Sequence, residues 1–356
     1  MPAAPTGPVK RQGKIESIQA LRLIAALAVV LFHISWIVPD RENSSNVFLL
    51  FEKGMMGVDV FFVISGFVMY LTATRRSEFR TGSFIVDRFW RIFPIYWFVL
   101  LLELGEEAFS SLLGLGRSDI ANLGYEDAIT SIFLLPYYKE FFVVTVAWTL
   151  AIEIVFYIIF AISFHFWRLR GVCISVATWF LLGVIWRSQT DVGPGDDWLL
   201  ANPRVLEFMF GAVIGYLYIH GRLPFGRIAL AAGMISLSAI FFFLPIGTYH
   251  AFPVWLIAGI PSAILIYGLV SVEIPVPRLI VLGGEASYVL YLIHELGLGV
   301  SMVVMRKLVG FNPFTVEWLG VLIVIGIIAA SILITVTVER RILRLRKSSR
   351  AKPARS

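Results

Sequence analysis

Of the 356 residues, 58% are hydrophobic and 15% are charged, with a mean hydropathy of +0.83. A soluble domain carries about 25% charged residues on a surface that faces water, so a chain this apolar has lipid as its solvent. The net charge of +6 lies in loops and tails, which excludes a basic nucleic-acid-binding face, and the single Cys173 excludes an internal disulfide and any cysteine metal cluster.

Residues 1–9, rich in Pro and Ala, read as a disordered start, followed by Lys10, Arg11 and Lys14. The apolar run behind them is too long for a signal-peptide core and has no small-residue cleavage site before Pro39, so it reads as an anchor that stays. Runs long enough to cross a bilayer, roughly 20 residues, are expected at 17–38, 55–74, 92–110, 146–167, 171–187, 205–220, 228–245, 251–270, 280–305 and 315–338. The stretch 127–145, interrupted by Pro136, Lys139 and Glu140, reads as an external loop with a re-entrant or interfacial helix. With the N-terminus inside, inner segments hold 21 Lys and Arg and outer loops hold 8, the asymmetry of a cytoplasmic inner face. Asp191, Asp196 and Asp197 fall in one outer loop. The expectation is an all-α integral membrane protein of about ten transmembrane helices with both termini cytoplasmic: a basic tail at 1–16, a membrane domain at 17–338 and a basic tail at 339–356.

Ionisable groups inside spans are expensive and each invites a functional reading. Arg22 and His33 are eleven residues apart in the first span, about three helical turns, so they share a face roughly 16 Å apart along the axis. Asp59, Glu153, His294 and Glu295 fall in the outer halves of three other spans. A carboxylate beside an imidazole fixes its tautomer and raises its basicity, as general-base catalysis on a hydroxyl requires. Ordinary packing between these groups is the competing reading. On the inner side, Arg75, Arg76, Arg80, Arg88 and Arg91 share one loop. Positive-inside anchoring explains the first three, whereas Arg88 and Arg91, three apart on one helix face before a span that Pro94 begins, suit a phosphate-bearing ligand. The run from Arg340 to Arg355 reads as a lipid-headgroup contact. Nucleotide-binding loops, a GxSxG elbow and metal-spaced histidines are missing, and no metal or permanently bound cofactor is expected.

Five blocks, "IQALRLIAALAVVLFH" (18–33), "GVDVFFVISGFVMY" (57–70), "FIVDRFWRIFPIYW" (84–97), "WTLAIEIVFY" (148–157) and "LGGEASYVLYLIHE" (282–295), resemble in order and spacing the acyltransferase-3 family of bacterial membrane acyltransferases. The resemblance implies a multi-pass enzyme of the bacterial inner membrane that acylates exported polysaccharides or lipid-linked sugars. By it, His33 is the expected essential histidine, as general base or acyl relay, and Arg22 is its partner in the Arg-x10-His pair. Arg88 and Arg91 match the paired arginines of the third-span block, and Asp59 matches the second.

The donor would be acyl-CoA, acetyl-CoA above all, with its phosphates on Arg22, Arg88 and Arg91. Asp59 would orient or charge His33, while Glu153, Tyr291 and His294 would support the acceptor. Oligomeric state is not legible. The alternative is a proton-coupled secondary transporter or exporter of a small solute or glycolipid, although no half-to-half repeat is evident.

Overall fold

A computed structural model of the chain describes residues 15–75, 78–112, 114, 124–136, 142–190, 199–246, 253–272 and 274–351. The expectations about residues 1–14, Arg76, Lys139, Glu140, Asp191, Asp196, Asp197 and Arg355 lie outside these.

The described residues form helices and no strands, as an all-α membrane protein must when every backbone group needs an internal partner. In chain order these are α1 (Glu16–Ile37), α2 (Met56–Thr74), α3 (Thr81–Leu112), α4 (Tyr125–Phe133), α5 (Trp148–Ser188), α6 (Val205–Ile219) and α7 (Gly226–Phe243). There follow α8 (Ile260–Ser271), α9 (Arg278–Glu285), α10 (Ser287–Leu308), α11 (Glu317–Ile334) and α12 (Arg340–Ala351). Among the described residues, six stretches are long and apolar enough to cross a membrane, and the helices Val205–Ile219 and Trp255–Ser271 are apolar but shorter.

The longest element, α5, is two helices. Trp167 and Arg168 leave helical geometry, Arg168 with φ 52°, and Ser163 Oγ lies 2.7 Å from Ser175 Oγ. In a straight helix residues twelve apart are about 18 Å apart, so the chain doubles back at the break and the two halves run side by side. The inner loop expected at 168–170 is thus a hairpin turn with almost no connecting residues.

Two expected boundaries need correction. The third helix begins at Thr81, well before the expected 92, and Pro94 lies inside it; Arg88 and Arg91 are therefore helical residues. The expected ninth span divides at Ala286 into α9 and α10. The short helix α4 fits the expected external segment, and Tyr96 and Trp97 fasten it by donating to the Ser131 and Ile132 carbonyls.

Burial ranks the helices. The stretch Val47–Thr74 is 78% buried in its most apolar window and Gly226–Phe243 only 6%, so α2 is central and α7 faces lipid. α2 packs most extensively on α6. Contact is possible because a Cβ at Gly66 would strike the Phe208 carbonyl, and one at Gly211 the Val63 carbonyl, the small-residue packing that brings membrane helices together. Stacked rings of Phe62, Phe208 and Phe156 tie α2, α6 and α5.

The basic C-terminal segment departs from the headgroup-contact reading at two arginines. Arg340 bonds Glu285 of α9 at 2.6 Å and Arg346 pairs with Asp87 of α3 at 3.6 Å, and α12 packs on α3.

Candidate active site

Three cavities follow the length of α1. The inner one, about 360 Å³, is lined by Gln19, Arg22, Arg75, Arg88, Arg91, Glu285, Glu339 and Arg340. The middle one, about 140 Å³, shares Arg22, Val68, Arg88 and Arg91 with it and adds Ser65, Thr149, Glu153, Tyr157, Tyr288 and Tyr291. The outer one, about 490 Å³, is lined by His33, Trp36, Glu103, Glu106, Glu107, Thr145 and Glu295.

The inner and middle cavities share a positively charged wall. α1 supplies Arg22 from near its start, and α3, extended by its early beginning, supplies Arg88 and Arg91. Arg91 is ion-paired with the buried Glu339, and Arg88 lies 5.6 Å over the Phe84 ring. The three arginines expected to bind a phosphate-bearing ligand therefore line one wall.

Glu153 belongs to the middle cavity. It was expected at the level of His33, but it accepts hydrogen bonds from Ser65 and from Tyr157, the latter at 2.5 Å. Tyr291 closes the chamber, with its hydroxyl 3.1 Å from Thr149 Oγ1 and its ring 5.9 Å from that of His294.

Beyond that closure lies the histidine cluster. His33 Nδ1 donates to the Val29 carbonyl at 2.9 Å, and His294 Nδ1 donates to the Tyr291 carbonyl at 2.8 Å. His294 Nε2 is 3.1 Å from His33 Nδ1, and His33 Nε2 is 3.2 Å from Glu295 Oε1. His294 is fully buried, whereas His33 and Glu295 reach the outer cavity.

The expected pairing of Asp59 with His33 needs correction. Asp59 is fully buried and bonds Arg204 at 2.9 Å, beside Glu207. Arg204 opens α6, and α2 and α6 pack against each other, so an Asp at this point of α2 meets that arginine first. The carboxylate at His33 is instead Glu295.

Glu295 stands next to His294 in the sequence, where depth alone places it and assigns it no role. Glu103, Glu106 and Glu107 of α3 were not singled out at all. Their spacing of three and four residues puts them on one helical stripe, which is the signal that could have found them.

His33, His294 and Glu295 offer ligand atoms within 4.8 Å of one another, a set that could hold a metal ion. Their lone pairs and hydrogens face each other, and they satisfy one another as a hydrogen-bonded cluster. The electrostatics run along the molecule, cationic at the inner cavity and anionic at the outer one, with an imidazole pair at the boundary. That arrangement suits passage of an anionic carrier from one side and reaction with a hydroxyl from the other.

Known proteins resemble the chain over much of its length. The chain is 33% identical over 268 residues to the exopolysaccharide production protein ExoZ of Rhizobium meliloti, covering 70% of this chain and 78% of that one. It is 25% identical over 316 residues to the acyltransferase MdmB of Streptomyces mycarofaciens, covering 79% and 78%. A third relative, the peptidoglycan O-acetyltransferase OatA of Listeria monocytogenes, is 25% identical over 232 residues, covering 59% of this chain and 35% of that one. No solved structure matches the chain. A family profile described as an acyltransferase domain matches residues 15–340, nearly all of the helical body, and the chain belongs to that acyltransferase-3 family of multi-pass membrane acyltransferases.

Proposed function

We propose that this membrane acyltransferase moves an acyl group, acetyl above all, from cytoplasmic acyl-CoA to a hydroxyl of an exported polysaccharide or glycolipid. The observation that carries the reading is the shared arginine wall. Arg22, Arg88 and Arg91 line both the inner mouth and the chamber beyond it, and the chamber ends at Tyr291, next to the His294–His33 pair. Phosphates held by guanidinium forks would leave an apolar acyl-bearing arm to run up the chamber, about three helical turns from Arg22 to His33. The acceptor would enter the outer cavity, where carboxylates accept hydrogen bonds from sugar hydroxyls. Ten crossings of a bacterial inner membrane, with both termini cytoplasmic, would set the arginines inside and His33 outside. The similarity to an exopolysaccharide production protein and to a peptidoglycan O-acetyltransferase supports the acceptor class.

The test is transfer by purified protein in nanodiscs, with radiolabelled acetyl-CoA and a mixture of sugar acceptors. Wild type should bind the donor and transfer its label, His33→Ala should bind without transfer, and Arg22→Ala should bind weakly. If folded protein binds neither acetyl-CoA nor succinyl-CoA, the donor assignment is wrong and a proton-coupled exporter becomes the better reading.

A further inference from the structure

His33 has two ring nitrogens, and both face acceptors. The Val29 carbonyl, 2.9 Å from Nδ1, can only accept, so Nδ1 carries a hydrogen. The same nitrogen lies 3.1 Å from His294 Nε2. His294 gives its own Nδ1–H to the Tyr291 carbonyl, which leaves Nε2 of the neutral ring a lone pair. One edge of His33 is thereby fixed as a donor to two acceptors. The opposite nitrogen, Nε2, faces Glu295 Oε1 at 3.2 Å. Without another hydrogen, a nitrogen lone pair would point at a carboxylate across that gap. One proton must lie between them, and while it does, Nε2 has no lone pair with which to take a proton from substrate.

We infer that Glu295 is the base that removes the acceptor's hydroxyl proton, and that His33 is the acid that protonates the leaving group. The inference rests on the acyl-CoA reading above. Glu295 has a second carboxylate oxygen besides the one paired with His33, and both residues border the outer cavity.

In the step, the acceptor O–H bond breaks and its proton goes to that oxygen. The acceptor oxygen bonds to the thioester carbonyl carbon, the C–S bond breaks with its electron pair on sulfur, and sulfur takes the proton from His33 Nε2. A proton then passes from Glu295 to His33 and restores the pair. No redox partner or further reactant is needed. His294 and the Val29 carbonyl are positioning groups that hold the ring so that Nε2, and not Nδ1, faces the reaction.

The experiment combines protonation state with rate. Protein labelled with ¹⁵N only in histidine, in nanodiscs near neutral pH, should show one ring with both nitrogens protonated. That signal should vanish in His33→Gln and become a neutral ring in Glu295→Gln. Glu295→Gln should bind acetyl-CoA as wild type does, yet transfer it 10²- to 10⁴-fold more slowly, roughly the range for loss of a general base. Glu295→Ala should regain part of the rate with added formate, which a merely structural role would not give.

A neutral His33 in wild type, or a Glu295→Gln enzyme transferring at the wild-type rate, would overturn the inference. Failure of wild type to bind any acyl-CoA would instead sink the donor assignment, and the ¹⁵N spectra would still report the proton between His33 and Glu295.

Discussion

Arg91 of α3 is ion-paired with Glu339, a residue in the π-helical turn Thr335–Glu339 just before α12. The contact occupies one of the three arginines that the inner and middle cavities share. A phosphate arriving there must share or displace a carboxylate already in place. Glu339→Gln should therefore tighten acyl-CoA binding, on the order of threefold, the size of a partly exposed ion pair. Equilibrium binding of CoA to the folded variant checks this, and unchanged or weaker binding would mean that Arg91 does not meet the donor.

Loss of positive charge should act in the opposite direction. Arg22→Ala and Arg88→Ala should each weaken CoA binding about ten- to hundredfold, the range for one charge-assisted hydrogen bond. Lysine should restore only part of this, because an ammonium is a point charge and not a planar fork. Dephospho-CoA and pantetheine, titrated beside CoA, would show which phosphate each arginine serves.

Asp59 and Arg204 call for a stability prediction. Arg204→Met would leave the fully buried Asp59 without its cation, and breaking such a pair costs about 3–5 kcal/mol. The double variant Arg204→Met/Asp59→Leu should recover part of that loss, since the Asp59 charge goes with its partner and only Glu207 is left in the pocket. Thermal unfolding in detergent should show a large drop for the single variant and a smaller one for the double.

A methyl group makes the last test. Gly66→Ala would set a Cβ against the Phe208 carbonyl, whereas nothing lies within 4 Å of a Cβ at Gly82. The first variant should lose monodisperse folded protein on size exclusion while Gly82→Ala elutes as wild type does. Wild-type behaviour of Gly66→Ala would mean that α2 and α6 are not held at this distance.

The helices and their chemistry were legible to different degrees. Apolar runs stand out because lipid demands about 20 continuous apolar residues, and each expected run overlaps a helix among the described residues. The membership of the site was legible where one helix carries it: Arg22 with His33 by helical period, Arg88 with Arg91 by their spacing of three. Pairing between helices was not. Depth alone put Asp59 and Glu153 beside His33, but rotation about each helix axis decides neighbours, and no single-sequence period reports it. Thus Asp59 turned to Arg204, Glu153 to Ser65 and Tyr157, and Glu295 took the place at His33. The C-terminal arginines misled for a similar reason, since a basic run looks the same whether it meets phospholipid or, as at Arg340 and Arg346, carboxylates of its own chain.

The middle and outer cavities share no lining residue among those described, and the Thr149–Tyr291 hydrogen bond lies at the closed end of the middle one. An enzyme hollowed from both faces of an energised membrane is also a potential short circuit. By this geometry the same two side chains that let an acyl group be handed across would hold back protons and ions between turnovers. Shortening them, as in Tyr291→Ala, should make vesicles lose a pH gradient faster, read with an entrapped dye; a gradient held as long as with wild type would place the seal elsewhere. Selection at Thr149 and Tyr291 would then act on the cell's energy economy as much as on the polymer it decorates.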